Sequence, residues 1–410
     1  MRLPKFTGVR LVAAVCAAQV FVQIGAFVWP ALLPELMKLW ELSNAEAGWV
    51  TAVFYGAYMV SVPVLVTLTD RVSAKRVYLF GVGCTIVGHM LFAVAAQGFW
   101  SALATRALTG IGWAGTYMTG VKLLADQVDA KLMSRAVAAH AASIGVSGAV
   151  SFAFADLLAD AYGWYAAFGA SAVTATLAWV IVATVAPQGE RAAPAADGGA
   201  LFDFRPVFRN RSAMAYAQAY CIHTLEMNAL RGWGVAFLAF VALQAPASDW
   251  RLGPAVVLTA VGLVGTAASV LGNEAAIRMG RRALVTIAML GSIVLALSLG
   301  FGGTLSYELA VVLLLVYGFV VWLDSASLTA GAAGTAEPSR RGATLAVHSA
   351  LGYAGGFAGP LMIGYTLDVL GGTTREGWAA AFLLVATLMM CALITFRVMR
   401  PRELAGDRRT

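Results

Sequence analysis

Glu226 sits at the centre of an apolar run, in the stretch Cys221-Ile-His223-Thr-Leu-Glu226-Met-Asn228-Ala-Leu-Arg231-Gly232-Trp233-Gly234. On a helix turning about 100° per residue, His223 and Glu226 are about 60° apart and Trp233 is roughly 20° from Glu226. Asn228 and Arg231 share a second arc, at least about 140° from Glu226. One straight helix therefore aims His223, Glu226 and Trp233 at one neighbour, and Asn228 and Arg231 at another. Alternatively, Gly232 and Gly234 could break the helix, which would make this wheel unreliable beyond Arg231 and expose backbone groups that suit a ligand. A second carboxylate, Asp324, stands inside the apolar run Trp322-Leu-Asp324-Ser-Ala-Ser327. Two chemistries fit these residues: proton uptake at Glu226 or Asp324, and anchoring of an anionic group by Arg231. The plainer alternative is that all three only satisfy polar partners between helices. A carboxylate paired with Arg231 keeps its charge, so pairing and proton exchange exclude each other in any one conformation.

The same reasoning selects polar groups in the first half. Gln19 and Gln23 lie i,i+4 on one helix face, directed at a cavity or at the span carrying Arg106. Arg106 stands within an apolar segment, Lys122 lies near the end of the same segment and is expected to snorkel to the interface, and Tyr117 is a hydroxyl able to bond a solute. His89, His140 and His348 occur singly and read as packing residues. His223 with Glu226 is the one metal-ligand spacing, and two ligands make a poor metal site; no metal and no cofactor are expected.

These groups are exceptional in a chain of 410 residues that is 60% hydrophobic and 12% charged. Soluble domains are nearer half apolar and a quarter charged, which excludes a soluble enzyme and a disordered chain. A net charge of +7 fits the basic rim of a membrane protein better than a nucleic-acid surface. A span needs roughly 20 apolar residues, and segments of that kind lie near 9–33, 46–68, 77–97, 99–122, 136–158, 165–186, 212–240, 254–275, 283–302, 308–332, 344–368 and 378–397. The basic start followed by an unbroken apolar run to about Leu33 reads as a retained first span, the run being too long for a signal peptide. Of the 28 Lys and Arg residues, 22 fall in loops on one side, three (Lys38, Arg251 and Arg375) on the other, and Arg106, Lys122 and Arg231 within spans. The positive-inside rule then puts both termini in the cytoplasm. Cys16, Cys84, Cys221 and Cys391 lie far apart in apolar runs and read as core residues without disulfides.

The spans divide six and six: a bundle over 1–186, a linker over 187–211 rich in Ala, Pro and Gly, a second bundle over 212–398 and a tail over 399–410. The halves echo each other. Arg135 to Gly148, with His140 and Gly145, is matched by Arg341 to Gly355, with His348 and Gly352; small residues at such spacings let helices approach closely.

On this pattern the chain resembles the major facilitator superfamily. Asp70-Arg71-Val72-Ser73-Ala74-Lys75-Arg76 is similar to the family's acidic-basic loop between spans two and three, with Val66 and Ser73 where glycines are usual and Ala74 where a basic residue is usual. The equivalent loop in the second half ends Ile277-Arg278-Met-Gly280-Arg281-Arg282, with Ile277 in the aspartate's place. Arg106, Gly110 and Gly112 are similar to the family's span-four motif. The resemblance implies an all-α fold of twelve spans in two pseudo-symmetric bundles, and a transporter rather than an enzyme. It implies that Arg106 is buried and assists gating or proton relay, and that Asp70, Arg71, Lys75 and Arg76 form a cytoplasmic latch. Span five lacks the glycine-proline pair typical of drug antiporters, although Gly359-Pro360 stands in span eleven.

The expectation is a proton-coupled secondary transporter of a small polar solute in the cytoplasmic (inner) membrane, working as a monomer. Arg106, Lys122 and Arg231 point to an anionic solute, against the opposing pull of Glu226 and Asp324. Efflux of drugs or amphipathic metabolites is the alternative, with Trp29, Trp233 and Trp322 as candidate contacts. A membrane enzyme or a transport-inactive sensor is a remote third. No G-x-x-x-x-G-K-[ST] sequence occurs, which disfavours a nucleotide-driven pump.

Overall fold

A computed structural model of the chain describes residues 6–69, 71–188, 204–244, 252–404 and 407. The described residues form α1 (Gly8–Gln23), α2 (Val28–Ala31), α3 (Leu33–Leu39), α4 (Asn44–Leu68), α5 (Ala74–Ala95), α6 (Phe99–Ala114), α7 (Tyr117–Ala125), α8 (Ala130–Tyr162) and α9 (Trp164–Val185). There follow α10 (Arg205–Arg209), α11 (Arg211–Gln244), α12 (Pro254–Met279), α13 (Arg281–Gly302), α14 (Tyr307–Leu323), α15 (Ser325–Thr335), α16 (Arg341–Val369) and α17 (Arg375–Met399). Every apolar segment predicted from the sequence falls on one of these helices or on a consecutive group of them. Among the described residues, eight helical stretches are long and apolar enough to cross a membrane. With no water in the hydrocarbon core, a helix satisfies its backbone within itself, which is why such runs fold this way.

Two compact units result. The first comprises Met1–Trp40 and Val53–Gly198; the second comprises Glu41–Ala52 and Gly199–Thr410. In the first, α5 packs along α6 and α9, and α1 along α8 and α9. In the second, the most extensive packing is α11 on α16, with α13 on α17 and α12 on α14. Close approach of α11 and α16 is a consequence of glycine: a methyl group at Gly355 would collide with the Cys221 carbonyl, and one at Gly352 with the Tyr220 ring.

Of the two readings of α11, the straight helix holds, and the breaks lie elsewhere. α11 runs unbroken through Gly232 and Gly234. Their missing side chains serve packing instead: a Cβ on Gly234 would come within 2.9 Å of Leu258, and one on Gly232 within 3.1 Å of Thr51. The interruptions fall between α1 and α2, between α6 and α7 at Gly115 and Thr116, and between α14 and α15 at Asp324. All four cysteines are free, but Cys391 is exposed and the other three are only partly buried, so the expected core role is corrected.

Candidate functional site

Because α11 is continuous, the helical wheel drawn on it holds, and the structure shows what each arc meets. Glu226 is buried, and Tyr317 of α14 donates its hydroxyl to Glu226 Oε1 at 2.6 Å. Ser292 of α13 is a buried hydroxyl close to the same carboxyl group. Three residues along α11, His223 Nδ1 lies 3.0 Å from Asp324 Oδ1. Asp324 occupies the junction of α14 and α15, where the helix break leaves backbone groups beside it. Behind this pair, the Tyr220 ring stacks on His223 at 5.7 Å and on His348 at 4.1 Å, and His348 Nε2 lies 3.2 Å from Thr329 Oγ1. Within the second unit, then, Glu226 pairs with Tyr317, and one turn back along α11 His223 pairs with Asp324 and stacks on the half-buried Tyr220, which stacks in turn on His348.

A small cavity of about 20 Å³ opens beside Glu226 and Tyr317, walled by Trp233, Trp378 and Phe382. That volume suits about one water molecule. Trp233 is fixed at its rim by donation from Nε1 to the Pro360 carbonyl at 2.8 Å.

The two arcs of α11 do not divide between two neighbours as expected: Arg231 meets Trp322 of α14, the helix that also carries the Glu226 partner Tyr317, while Trp233 bonds Pro360 of α16. Asn228 spends its amide on its own helix, Nδ2 donating to the Thr224 carbonyl at 2.9 Å. The Arg231 guanidinium lies 4.7 Å from the ring centroid of Trp322, a cation–π contact. No ion pair involves Glu226 among the described residues.

In the first unit the expected residues separate. Gln19 is fully buried and accepts from the Tyr78 hydroxyl of α5 at 3.2 Å, so its partner is α5 and not the Arg106 span. Gln23 lines a second cavity of about 10 Å³ with His89, Thr109 and Trp113. Arg106 is buried, donates to the Ala26 carbonyl at 3.2 Å in the break after α1, and lies 4.4 Å from the Phe54 ring centroid. Tyr117 stacks on His140 at 6.2 Å. Lys122 is partly exposed and paired with Asp126 one turn on.

Around the acidic-basic loop, Asp70 lies outside the described residues, and Arg71 and Arg76 are exposed. Lys75 is buried and donates from Nζ to the carbonyls of Ala183 and Ala186 at 2.8 and 2.6 Å. It therefore caps the C-terminal end of α9, where a cation opposes the helix dipole. In the second half, the carboxylate missing at Ile277 is supplied from the tail. Arg281 Nε and Nη2 each donate to Asp407 at 3.1 Å, and Glu403 accepts from the backbone N–H groups of Arg281 and Arg282 at 2.9 and 3.1 Å.

Tyr317, Ser292 and Tyr220 were not singled out from the sequence. Two of them carried a signal: Tyr317 precedes Asp324 by seven residues and Tyr220 precedes His223 by three, spacings that share a helix face. Ser292 carried none.

Residues 15–252 match the sequence profile described as Major Facilitator Superfamily. Protein spinster homolog 1 from Bos taurus is 25% identical over 238 residues, which cover 56% of this chain and 45% of that protein. The uncharacterized MFS-type transporter YbcL of Bacillus subtilis (strain 168) is 24% identical over 183 residues, covering 44% of this chain and 47% of its own. The chain thus aligns with about half the length of these curated relatives. Among solved structures, the nucleoside transporter NupG superposes with a TM-score of 0.76 at 13% identity, covering 96% of this chain and 99% of its own. A bacterial homolog to the human lysosomal transporter Spinster, inward-facing and occupied, gives 0.76 at 14% identity and covers 98% of both chains. At these identities the likeness is one of fold.

Proposed function

The chain belongs to the Major Facilitator Superfamily and is a multi-pass membrane protein, and from that premise we propose that it is a proton-coupled secondary transporter of a small polar solute. Transport would proceed by alternating access. The proposal places twelve spans in the cytoplasmic membrane, with both termini inside, on the strength of the 22-to-3 distribution of loop Lys and Arg residues.

One observation carries the coupling assignment. Glu226 is buried in the second unit with a phenol donating to it and no Lys or Arg in an ion pair with it among the described residues. An uncompensated charge in such a place is costly, so loading and unloading a proton at Glu226 can drive a change of conformation. Asp324, at the α14–α15 break and within 3.0 Å of His223, is the neighbouring group through which the proton passes. Arg106 and Arg231, each laid over an aromatic ring, are the cations that would meet an anionic part of the solute. The exposed Arg71 and Arg76 remain for the cytoplasmic latch, with Lys75 holding the end of α9 beside them.

The test is transport in proteoliposomes. A thermal-shift screen of nucleosides, amino acids, sugars and small carboxylates first finds a stabilising solute, since binding to the folded state raises apparent stability. Glu226→Gln is then expected to abolish uptake driven by a pH gradient while sparing counterflow exchange of that solute. Gradient-driven uptake unchanged by Glu226→Gln would overturn the assignment.

A further inference from the structure

At one end of the second unit, α11, α13 and α17 enclose an open cleft of about 970 Å³ lined by Arg211, Arg282, Arg397 and Arg400. Among the described residues lining it, Glu403 is the one acidic group. That carboxylate is already engaged, by the Arg282 side chain at 3.1 Å and by the backbone N–H groups at the start of α13. Arg211, Arg397 and Arg400 form no ion pair among the described residues. Arg211 is held in place by donation to the Val398 carbonyl at 2.6 Å. Arg400 ends α17 with a φ of 48°, a left-handed backbone that glycine adopts more easily. The chain turns sharply there and keeps a guanidinium at the turn.

The cleft also has an apolar approach. α17 exposes Met390, Ile394 and Val398, four residues apart on one face, leading down to Arg397 and Arg400. Met279, at the end of α12, is likewise exposed at the cleft. A free anion would use the arginines and leave this apolar flank unused. A molecule with a phosphate at one end and acyl chains at the other uses both. We propose that this cleft is a binding site for the headgroup of an anionic phospholipid, with an acyl chain lying along the exposed face of α17. The site is separate from the buried Glu226 cluster and does not depend on which solute is carried. Basic pockets among membrane helices at the bilayer surface are suited to such headgroups, with the attraction growing with each Arg near the surface.

The experiment is native mass spectrometry of the full chain in detergent, incubated with dioleoyl phosphatidylglycerol or with dioleoyl phosphatidylcholine. Preferential retention of a phosphatidylglycerol adduct is expected, with retention falling roughly tenfold or more in Arg397→Gln/Arg400→Gln and kept in Arg397→Lys/Arg400→Lys. Millimolar inorganic phosphate is expected to leave the adduct in place. Equal retention of the two lipids by the unsubstituted chain would overturn the proposal, as would loss of the lipid to inorganic phosphate, which would mark a site for the free anion. Undiminished retention in a Gln variant that melts at the unsubstituted temperature would do so too. The lipid comparison and the phosphate competition need no variant, so they decide the matter even if the double substitution prevents folding.

Discussion

Tyr317 Oη donates to Glu226 Oε1 at 2.6 Å, tying α14 to the middle of α11 through two buried groups. Hydrogen bonds to charged groups are worth about 1.5–3 kcal/mol, and this one is made wherever the carboxylate is ionised. Tyr317→Phe removes the donor and little volume. Gradient-driven uptake in proteoliposomes is expected to fall by roughly tenfold or more, with counterflow exchange much less affected. Equal loss of both activities would show that Tyr317 supports the fold or the solute and not the proton.

His223 and Asp324 form the second pair, at 3.0 Å, with side chains only 2% and 5% exposed. Removing one partner leaves the other buried alone, which costs about 3–5 kcal/mol in such pairs. Asp324→Asn and His223→Asn are each expected to lower unfolding stability in detergent by a few kcal/mol. The double variant should lose less than the two losses together, by about 0.5–3 kcal/mol. Strict additivity would mean that neither residue depends on the other.

These pairs show where the sequence could be read and where it could not. A run of about 20 apolar residues has to become a helix in hydrocarbon, so the helical segments were legible. The wheel on α11 also held, because it rests on helix geometry alone. It gave the faces of Glu226 and Arg231 but not what those faces meet, since a single helix carries no information about its neighbours. Tyr317, Trp322 and the Asp407 that meets Arg281 all come from distant parts of the chain. The glycines left the choice between a straight and a broken α11 open for a related reason. An intrinsic cost of about 1 kcal/mol per Gly is small beside the packing it permits, so Gly232 and Gly234 stay helical, while the chain breaks at Gly115 and at Asp324.

Arg281 is the best-buried charge at the tail, 3% exposed, and Asp407 holds it through two bonds of 3.1 Å. Asn273 Oδ1 and the Ser327 carbonyl complete its shell at 3.3 and 3.2 Å. Asp407→Ala is expected to destabilise the protein by about 3 kcal/mol, because a guanidinium is left buried without its anion. The nearby Arg282–Glu403 pair is 48% and 23% exposed, and exposed pairs contribute at most about 1 kcal/mol. Arg282→Gln should therefore be close to neutral in the same unfolding measurement. Equal effects would show that burial does not set the worth of these pairs.

Asp368 stands one residue from the end of α16, the wrong end of its own helix dipole for an anion. It is well placed for α4, which begins at Asn44. Oδ1 accepts from Asn44 N and Asn44 Nδ2 at 3.0 and 2.8 Å, and Oδ2 accepts from Ala45 N at 2.7 Å. The first N–H groups of a helix have no partner within it, and here a carboxylate 323 residues downstream of Ala45 supplies one. A local capping box adds to this: Ser43 N donates to Glu46 Oε2 at 2.9 Å, and Glu46 N to Ser43 Oγ at 3.1 Å. Asp368→Ala is expected to cost about 1–2 kcal/mol, the scale of a lost N-cap, and to speed hydrogen exchange at Asn44 and Ala45. Asp368→Asn keeps one acceptor and loses the charge–dipole attraction, so its cost should be nearer 0.3–1 kcal/mol, on the order of a single dipole contact. Ser43→Ala should leave exchange at Ala45 almost unchanged, because that amide is covered by Asp368 and not by the box. Faster exchange at Ala45 in Ser43→Ala than in Asp368→Ala would show that α4 is capped from within its own loop.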